Sequence, residues 1–169
     1  IVLDAETTGL NPFSAELLGL SFALNQNAAV YVSLHEHPEW RKKIAELLAD
    51  ESIGKWGHNL KYDIKVLRAN GFEINGVKGD TMLASYLLNP GSRAHDLDTL
   101  AFTECGHRMI PITALIGEKK PQKEMKEVPT MDLAMYSCED ADYTWRLKEK
   151  FTRELEAQGL YELFVNIEM

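Results

Sequence analysis

The chain opens with a short hydrophobic run that gives way to acidic and then hydroxyl-bearing residues. Ile1-Val2-Leu3 leads into Asp4-Ala5-Glu6, and Thr7-Thr8-Gly9 follows. This pattern predicts a buried strand with two acids near its end. Side chains alternate along a strand, so Asp4 and Glu6 share one face, about 6 to 7 Å apart. Carboxylates this close repel unless a proton or a cation such as a hard divalent metal ion joins them, although a strand that simply ends in solvent would show the same pattern.

The rest of the hydrophobic pattern predicts a mixture of strands and helices. Further strands are predicted over residues 16–24, 29–34, 52–57 and a short stretch from residue 77, the first two forming an antiparallel meander with the acidic strand. Helical spacing or capping residues predict helices from residue 38, over 58–67, 80–88, 96–101 and 131–157, and after residue 159. The order of these elements indicates an α/β fold in which helices cover a mixed sheet with the acidic strand at its centre. Residues 117–129 are predicted to form an exposed loop.

Length and composition narrow the class of protein. A chain of 169 residues can bury a proper core as one domain, and 45% hydrophobic with 26% charged residues is ordinary for a soluble globular protein. No run is long enough to span a bilayer, and there is no signal peptide. Two cysteines, Cys105 and Cys138, favour a reducing, intracellular setting. Because the chain begins at Ile1 inside a predicted strand and stops at Met169 inside a predicted helix, we expect residues 1–169 to be a single domain cut from a longer protein.

The charge of the chain bears on its partners. The formal net charge is −8, which argues against a protein that coats nucleic acid non-specifically, because such proteins are basic. An enzyme that acts on nucleic acid through bound metal ions is still allowed, since each divalent ion reverses the local field.

Two further acids have surroundings that suit a site shared with Asp4 and Glu6. Asp63 follows Asn59 by four residues and Asp140 follows Tyr136 by four residues, so each pair can share one face of a helix or its entry turn. Each pair alone is weak evidence, because a helical aspartate is ordinarily solvated and a tyrosine one turn away ordinarily packs. The pairs together with the acidic strand, in this order, are far more specific.

These residues make the sequence recognisable: it resembles the 3′–5′ proofreading exonuclease domain of bacterial DNA polymerase I, in the tyrosine-containing branch of the Asp-Glu-Asp-Asp exonuclease superfamily. The three family motifs match Leu3-Asp4-Ala5-Glu6-Thr7, Asn59-Leu60-Lys61-Tyr62-Asp63 and Tyr136-Ser137-Cys138-Glu139-Asp140. Residues 18–23, 80–86 and 95–100 also resemble that domain, so the likeness covers essentially the whole chain. It implies a ribonuclease-H-like fold, with a mixed five-stranded sheet flanked by helices, and a reaction that uses two divalent ions, Mg²⁺ or Mn²⁺.

The resemblance also implies catalytic and metal-binding roles. Asp4 would bridge both ions, Glu6 and Asp140 would complete one site, and Asp63 would support the other through water. Tyr136 would orient the attacking water. Four carboxylates suit this task because they are hard ligands that partly offset the charge of two divalent ions.

Other positions match family residues that grip the single-stranded 3′ end. Thr7 and Leu10 would border the terminal nucleotide, with Leu10 wedging against bases, although without the family Leu10 would be an ordinary loop hydrophobe. Asn59 would hydrogen-bond the phosphate or sugar region. Ile112 falls where a close relative has a phenylalanine that packs on a base, so stacking there should be weaker. Arg93 lies one position earlier than the family's basic residue, which leaves its phosphate contact in doubt.

We therefore expect a metal-dependent 3′–5′ exonuclease that hydrolyses phosphodiester bonds at DNA 3′ ends as the proofreading module of DNA polymerase I. Its partners would be a single-stranded or frayed DNA 3′ end and a polymerase region in the same chain, in the bacterial cytoplasm and without a membrane. The nearest alternative is an RNA-trimming exoribonuclease of the same branch, which shares all three motifs. A non-catalytic domain that braces a polymerase is a further alternative, but such relatives have lost metal acids, and all four are present here.

Overall fold

Short strands of β-favouring apolar residues form the centre of the computed structural model, which describes residues 1–169. The strands are β1 Val2–Thr7, β2 Leu17–Asn25, β3 Ala28–Ser33, β4 Lys55–Gly57 and β5 Val77–Asp80. They form one sheet in the order β3-β2-β1-β4-β5. β1, β2 and β3 are antiparallel neighbours, whereas β4 runs parallel to β1 and to β5. The predictions of a mixed five-stranded sheet and of a central acidic strand are confirmed.

Helices flank the sheet. They are α1 Arg41–Ala49, α2 Leu60–Ala69, α3 Thr81–Leu88, α4 Leu97–Cys105, α5 Ile112–Ile116, α6 Thr130–Ala157 and α7 Tyr161–Leu163. A 3₁₀ turn at Pro38–Trp40 precedes α1, another at Met125–Glu127 precedes α6, and the last residues form a π turn over Phe164–Glu168. None of the helices is both long and apolar enough to cross a membrane.

Two features differ from the sequence-based expectations. Helix α5 was not predicted, because its five residues are too few to show a helical period. Most of the stretch 117–129 is exposed as expected, but Met125–Glu127 forms a turn and Val128 is buried against Leu133 and Leu115. The loop is therefore attached to the body of the domain by an apolar side chain.

Hydrophobic side chains are buried on both faces of the sheet. Leu3 of β1 faces a cluster formed with α1 and α2, which includes Ile44 and Val66. The preceding residue, Val2, faces the opposite cluster, in which Leu147 of α6 is fully buried. Successive residues of β1 thus enter different cores, which is why the start of this strand is apolar without alternation.

An irregularity in the β1–β2 pairing lies next to the acidic residues. Asp4 pairs with Ser21 and Glu6 with Gly19, but Thr7 then pairs with Leu17, so Leu18 has no partner on β1. Such a bulge turns a side chain out of the regular alternation. Here Leu18 joins the cluster with Val128 and Leu133, which packs the start of α6 beside the end of β1.

Asp80 holds the first turns of two helices. Its buried carboxylate accepts hydrogen bonds from the backbone N–H groups of Met82, at 2.8 Å, and Leu83, at 3.4 Å, which caps α3. It also accepts from the N–H groups of Asn59, at 3.1 Å, and Leu60, at 2.7 Å, where α2 begins. Asn59 has a left-handed backbone, with φ of 58°, which asparagine tolerates better than most residues.

We expect Asp80→Ala to lower the free energy of unfolding by about 2 to 4 kcal/mol, because four backbone donors lose their acceptor in a buried place. Asp96 provides a matched control, since its carboxylate caps only α4 by accepting from Thr99 N–H at 2.9 Å. Asp96→Ala should cost about 1 kcal/mol. Urea unfolding followed by circular dichroism measures both values. A loss in Asp80→Ala no larger than in Asp96→Ala would contradict the double-cap role.

Candidate active site

Three carboxylates meet where α6 crosses the central strand. Asp4 and Glu6 lie on the same face of β1, and Asp140 approaches them from α6. One carboxylate oxygen from each of the three residues lies within 4.8 Å of the other two. Glu6 and Asp140 are only 6% and 9% exposed, so water reaches these two groups poorly.

Asp63 and Tyr136 line the same cleft as this cluster. The cleft has a volume of about 330 Å³, and its walls include all four acids, Tyr136, His58, Asn59 and Ile112. Asp63 lies in the first turn of α2 and is 4% exposed, outside the tight group of three. No lysine or arginine lies among the residues that line the cleft. The four acids therefore face one another without a cationic side chain between them.

Ser137 fastens α6 to the acidic strand. Its Oγ donates a long hydrogen bond, 3.4 Å, to Asp4 Oδ2, and its carbonyl oxygen accepts from Ser21 Oγ at 2.8 Å. Ser137 is fully buried. Sequence reasoning did not single out this residue, although it lies three positions before Asp140 and therefore on the same buried face of α6.

Burial and mutual repulsion raise the pKa values of the acids. Burial raises the pKa of Asp4 to about 6. Burial, and then the charge of Asp4, raises the pKa of Glu6 to about 8. The same two causes raise the pKa values of Asp63 and Asp140 well above the usual range. The site therefore holds protons at neutral pH unless a cation replaces them.

Tyr136 is a neutral hydrogen-bonding group in this cleft. Burial, followed by the negative charge of Asp140, raises the pKa of its phenol. A phenol that keeps its proton can both donate and accept a hydrogen bond.

Two side chains anchor the loop that follows β1. The Tyr62 hydroxyl donates to the carbonyl oxygen of Gly9 at 2.6 Å, and Thr7 Oγ1 lies 3.0 Å from both the Tyr62 hydroxyl and the Gly9 carbonyl oxygen. Leu10, at the tip of this loop, is 94% exposed and does not line the cleft. Tyr62 was not singled out from the sequence, although it lies inside the second motif.

Ile112, on the short helix α5, also lines the cleft and is 45% exposed. Glu139, on α6, holds the segment that leads into α5. Its carboxylate lies 2.8 Å from His107 Nε2 and accepts a hydrogen bond from Ile110 N–H at 2.6 Å. Arg93 is exposed and does not line the cleft.

Comparison with known sequences gives one family. A family model described as a 3′-5′ exonuclease matches residues 1–156. The DNA polymerase I of Pseudomonas aeruginosa is 35% identical over 182 residues, covering 100% of this chain and 20% of that protein. The DNA polymerase I of Chloroflexus aurantiacus is 32% identical over 176 residues, covering 98% of this chain and 18% of that protein. The chain spans about a fifth of the length of these curated relatives.

Comparison with solved structures shows the fold. The POL domain of Pol1 from M. smegmatis, in complex with DNA primer-template and dNTP, has a TM-score of 0.78 at 21% identity over 98% of this chain and 26% of that chain. Brucella melitensis NrnC with bound Mg²⁺ has a TM-score of 0.78 at 23% identity, covering 96% of this chain and 76% of that chain. Escherichia coli RNase D, an exoribonuclease, has a TM-score of 0.71 at 16% identity, covering 98% of this chain and 42% of that chain. The expected ribonuclease-H-like fold is confirmed.

The raised pKa values predict how the metal-free protein responds to pH. Asp4 and Glu6 keep their protons up to about pH 6 and about pH 8 in the folded state, but only to about pH 4 in the unfolded chain. The folded state binds more protons between these values, so its stability falls as the pH rises through this window. Relative to Asp4→Asn, the Tm of the wild type should fall by roughly 5 °C between pH 5 and pH 8.

Thermal melts in a buffer with a chelator test this expectation. Asp132→Asn serves as the control, because Asp132 is an exposed acid in the first turn of α6, the helix that carries Asp140. The Tm difference between the wild type and Asp132→Asn should stay nearly constant over the same pH range. A constant difference between the wild type and Asp4→Asn would show that the acids are not coupled by burial and repulsion.

Proposed function

This chain belongs to the 3′-5′ exonuclease family, and we propose that it is a metal-dependent exonuclease that removes nucleotides from DNA 3′ ends as the proofreading module of a DNA polymerase I. The observation that carries the proposal is the cluster of Asp4, Glu6 and Asp140, with Asp63 in the same cleft and no lysine or arginine among the lining residues. The relatives support DNA as the substrate, because they are DNA polymerases. Residues 1–169 would then be one domain, joined in the same chain to a polymerase region in the bacterial cytoplasm.

The donor set fits divalent metal ions. Carboxylate oxygens are the ligands that Mg²⁺ and Mn²⁺ prefer, and three of them converge within 4.8 Å. No lysine or arginine lines the cleft to stabilise their charge. One structural neighbour is described with bound Mg²⁺. Two such ions, when bound, supply neutralisation of phosphate charge and ionisation of the attacking water.

In this proposal the residues of the cleft have separate roles in holding the ions and orienting the attacking water. By resemblance to the family, Asp4 would be shared by both ions, while Glu6 and Asp140 would complete one position. Asp63 approaches from α2 and would support the other position. Tyr136 would hydrogen-bond the attacking water as a neutral phenol and orient it toward the phosphorus.

The cleft is suited to an unpaired 3′ end. Its volume of about 330 Å³ is that of a site for one small ligand, so a paired terminal nucleotide would have to leave its duplex to enter. Asn59 and Ile112 line the walls and would contact the sugar-phosphate and the base. Leu10, held out by the loop that Thr7 and Tyr62 anchor, would wedge against the neighbouring base.

We expect Asp4→Ala, Glu6→Ala, Asp63→Ala and Asp140→Ala each to lose nearly all hydrolysis, because each removes a ligand from a shared cluster. A double variant should be about as inactive as a single one, since the residues act as a unit. The measurement is the shortening of 5′-labelled single-stranded DNA with Mg²⁺, with circular dichroism to check folding. Asp132→Ala is the control and should retain activity. Substantial activity in Asp4→Ala would overturn the proposal.

The same assay separates the alternatives. A ladder that shortens from the 3′ end, faster on single-stranded or mismatched DNA than on a blunt duplex, is the expected result. Faster shortening of the matching RNA would favour an RNA-trimming enzyme. No hydrolysis of either substrate by the wild type would favour a non-catalytic domain.

Tyr136→Phe tests the role of the phenol. This change keeps the ring and its packing, so stability and metal binding should change little. The single-turnover rate at saturating metal should fall about ten-fold or more, which corresponds to about 1.4 kcal/mol of transition-state stabilisation. Tyr143→Phe is a suitable control, because Tyr143 lies on the same helix but stacks on His107 and does not line the cleft. An unchanged rate in Tyr136→Phe would remove Tyr136 from the mechanism.

A further inference from the structure

We propose that Tyr31, on β3, is a positioning residue whose hydroxyl donates a hydrogen bond to Glu6 when that carboxylate holds a metal ion. This inference rests on the proposed function, because it assigns a residue that supports one of the proposed metal ligands. Tyr31 lies outside the three motifs and was not a candidate from the sequence.

The strand register places Tyr31 on the face that carries the acids. Asp4, Ser21 and Tyr31 are directly opposite one another across β1, β2 and β3. Glu6 and Gly19 are opposite one another in the next row of the same face. Residues that are opposite each other, or two apart along a strand, point to the same side of a sheet. The side chains of Tyr31 and Glu6 therefore point to the same side of the sheet, and Gly19 lies on β2, the strand between them.

Gly19 shows the direction in which the tyrosine points. A Cβ atom at position 19 would overlap the hydroxyl oxygen and Cζ of Tyr31. The hydroxyl end of the Tyr31 ring therefore lies over Gly19 of β2. It extends from β3 across the neighbouring strand toward β1. Neighbouring strands are about 4.8 Å apart, so the hydroxyl is within reach of a glutamate side chain that starts opposite Gly19.

Each group lacks the hydrogen bond that the other could supply. The Tyr31 hydroxyl oxygen and Glu6 Oε1 are both buried, and neither has a hydrogen-bond partner. Burial, followed by the charge of Glu6, raises the pKa of Tyr31, so Glu6 is the charged group that acts most on this phenol. A protonated phenol is a donor and a carboxylate oxygen is an acceptor. A hydrogen bond between them would satisfy both atoms, and each is costly to leave unpaired.

A hydrogen bond from Tyr31 would divide the two oxygens of Glu6 between two tasks. Oε1 would be held by the phenol, and the other oxygen would be turned toward Asp4 and Asp140. Groups that hold a metal ligand in place in this way typically change metal affinity 10- to 100-fold when they are removed.

A purely structural tyrosine would behave differently. Tyr31 packs against the cluster of Leu18, Leu115, Val128 and Leu133, and a ring that only fills space needs no hydroxyl. In that case Tyr31→Phe would leave metal affinity unchanged. In our proposal the same change removes a buried, unpaired hydroxyl from the metal-free protein, so the metal-free Tm should stay equal or rise, while metal affinity falls.

The test measures Mn²⁺ binding without DNA, by electron paramagnetic resonance of free Mn²⁺ during a titration, together with the Tm in a chelator. Tyr31→Phe is expected to bind Mn²⁺ about ten-fold more weakly or worse than the wild type, with no loss of metal-free Tm. Tyr161→Phe is the matched control, because Tyr161 also packs partly buried against a core cluster but lies on α7 and does not line the cleft. Its Mn²⁺ affinity should equal that of the wild type.

The outcomes separate this inference from the proposed function. If the wild type binds Mn²⁺ more tightly than Glu6→Ala but Tyr31→Phe binds as the wild type does, the role of Tyr31 is wrong and the metal site stands. A lower metal-free Tm in Tyr31→Phe with unchanged affinity likewise assigns the hydroxyl a structural role only. If the wild type and Glu6→Ala bind Mn²⁺ equally, the metal site itself is wrong.

Discussion

Repulsion among buried carboxylates is the constraint on which this structure depends. One carboxylate oxygen each from Asp4, Glu6 and Asp140 lies within 4.8 Å of the other two, and no lysine or arginine lines the cleft. The fold must therefore supply the energy that keeps these acids together in the absence of metal. β1 can supply it because it is the central strand, paired on both sides. α6 is fastened to the sheet by Ser137 and Ser21. Packing far from the site thus offsets an unfavourable interaction inside it.

Asp80 shows what a buried acid looks like when its task is structural. It is as buried as Asp63, at 4% exposed, yet its carboxylate accepts hydrogen bonds from four backbone N–H groups. Glu6 has a buried oxygen with no partner. Burial alone therefore does not distinguish the two kinds of acid. The distinction lies in whether the protein supplies donors to the charge or leaves it for a ligand.

Hydrophobic patterns and capping residues were sufficient to predict the five strands, the longer helices and the central position of β1, because these follow from local patterns. The three motifs indicated which acids would share a site, although residues 4, 63 and 140 are far apart in sequence. Other features depend on long-range geometry. The packing of the Tyr31 ring over Gly19 follows from the register of β2 and β3. The lack of a β1 partner for Leu18 follows from a bulge. A pattern within one segment cannot show either, because both arise only when strands pair.

The charge of the chain links metal binding to substrate binding. With a net charge of −8 and no lysine or arginine lining the cleft, side chains of this site provide no positive field to attract a phosphodiester. In the proposed reaction that attraction comes from bound cations, while Leu10, Asn59 and Ile112 contribute apolar and hydrogen-bond contacts. Metal ions and a nucleic-acid end should then each increase the affinity of the site for the other, because such coupling is reciprocal. An acidic cleft is thus compatible with a nucleic-acid substrate, since in the proposed reaction the acids would bind the cations and the cations would attract the phosphate.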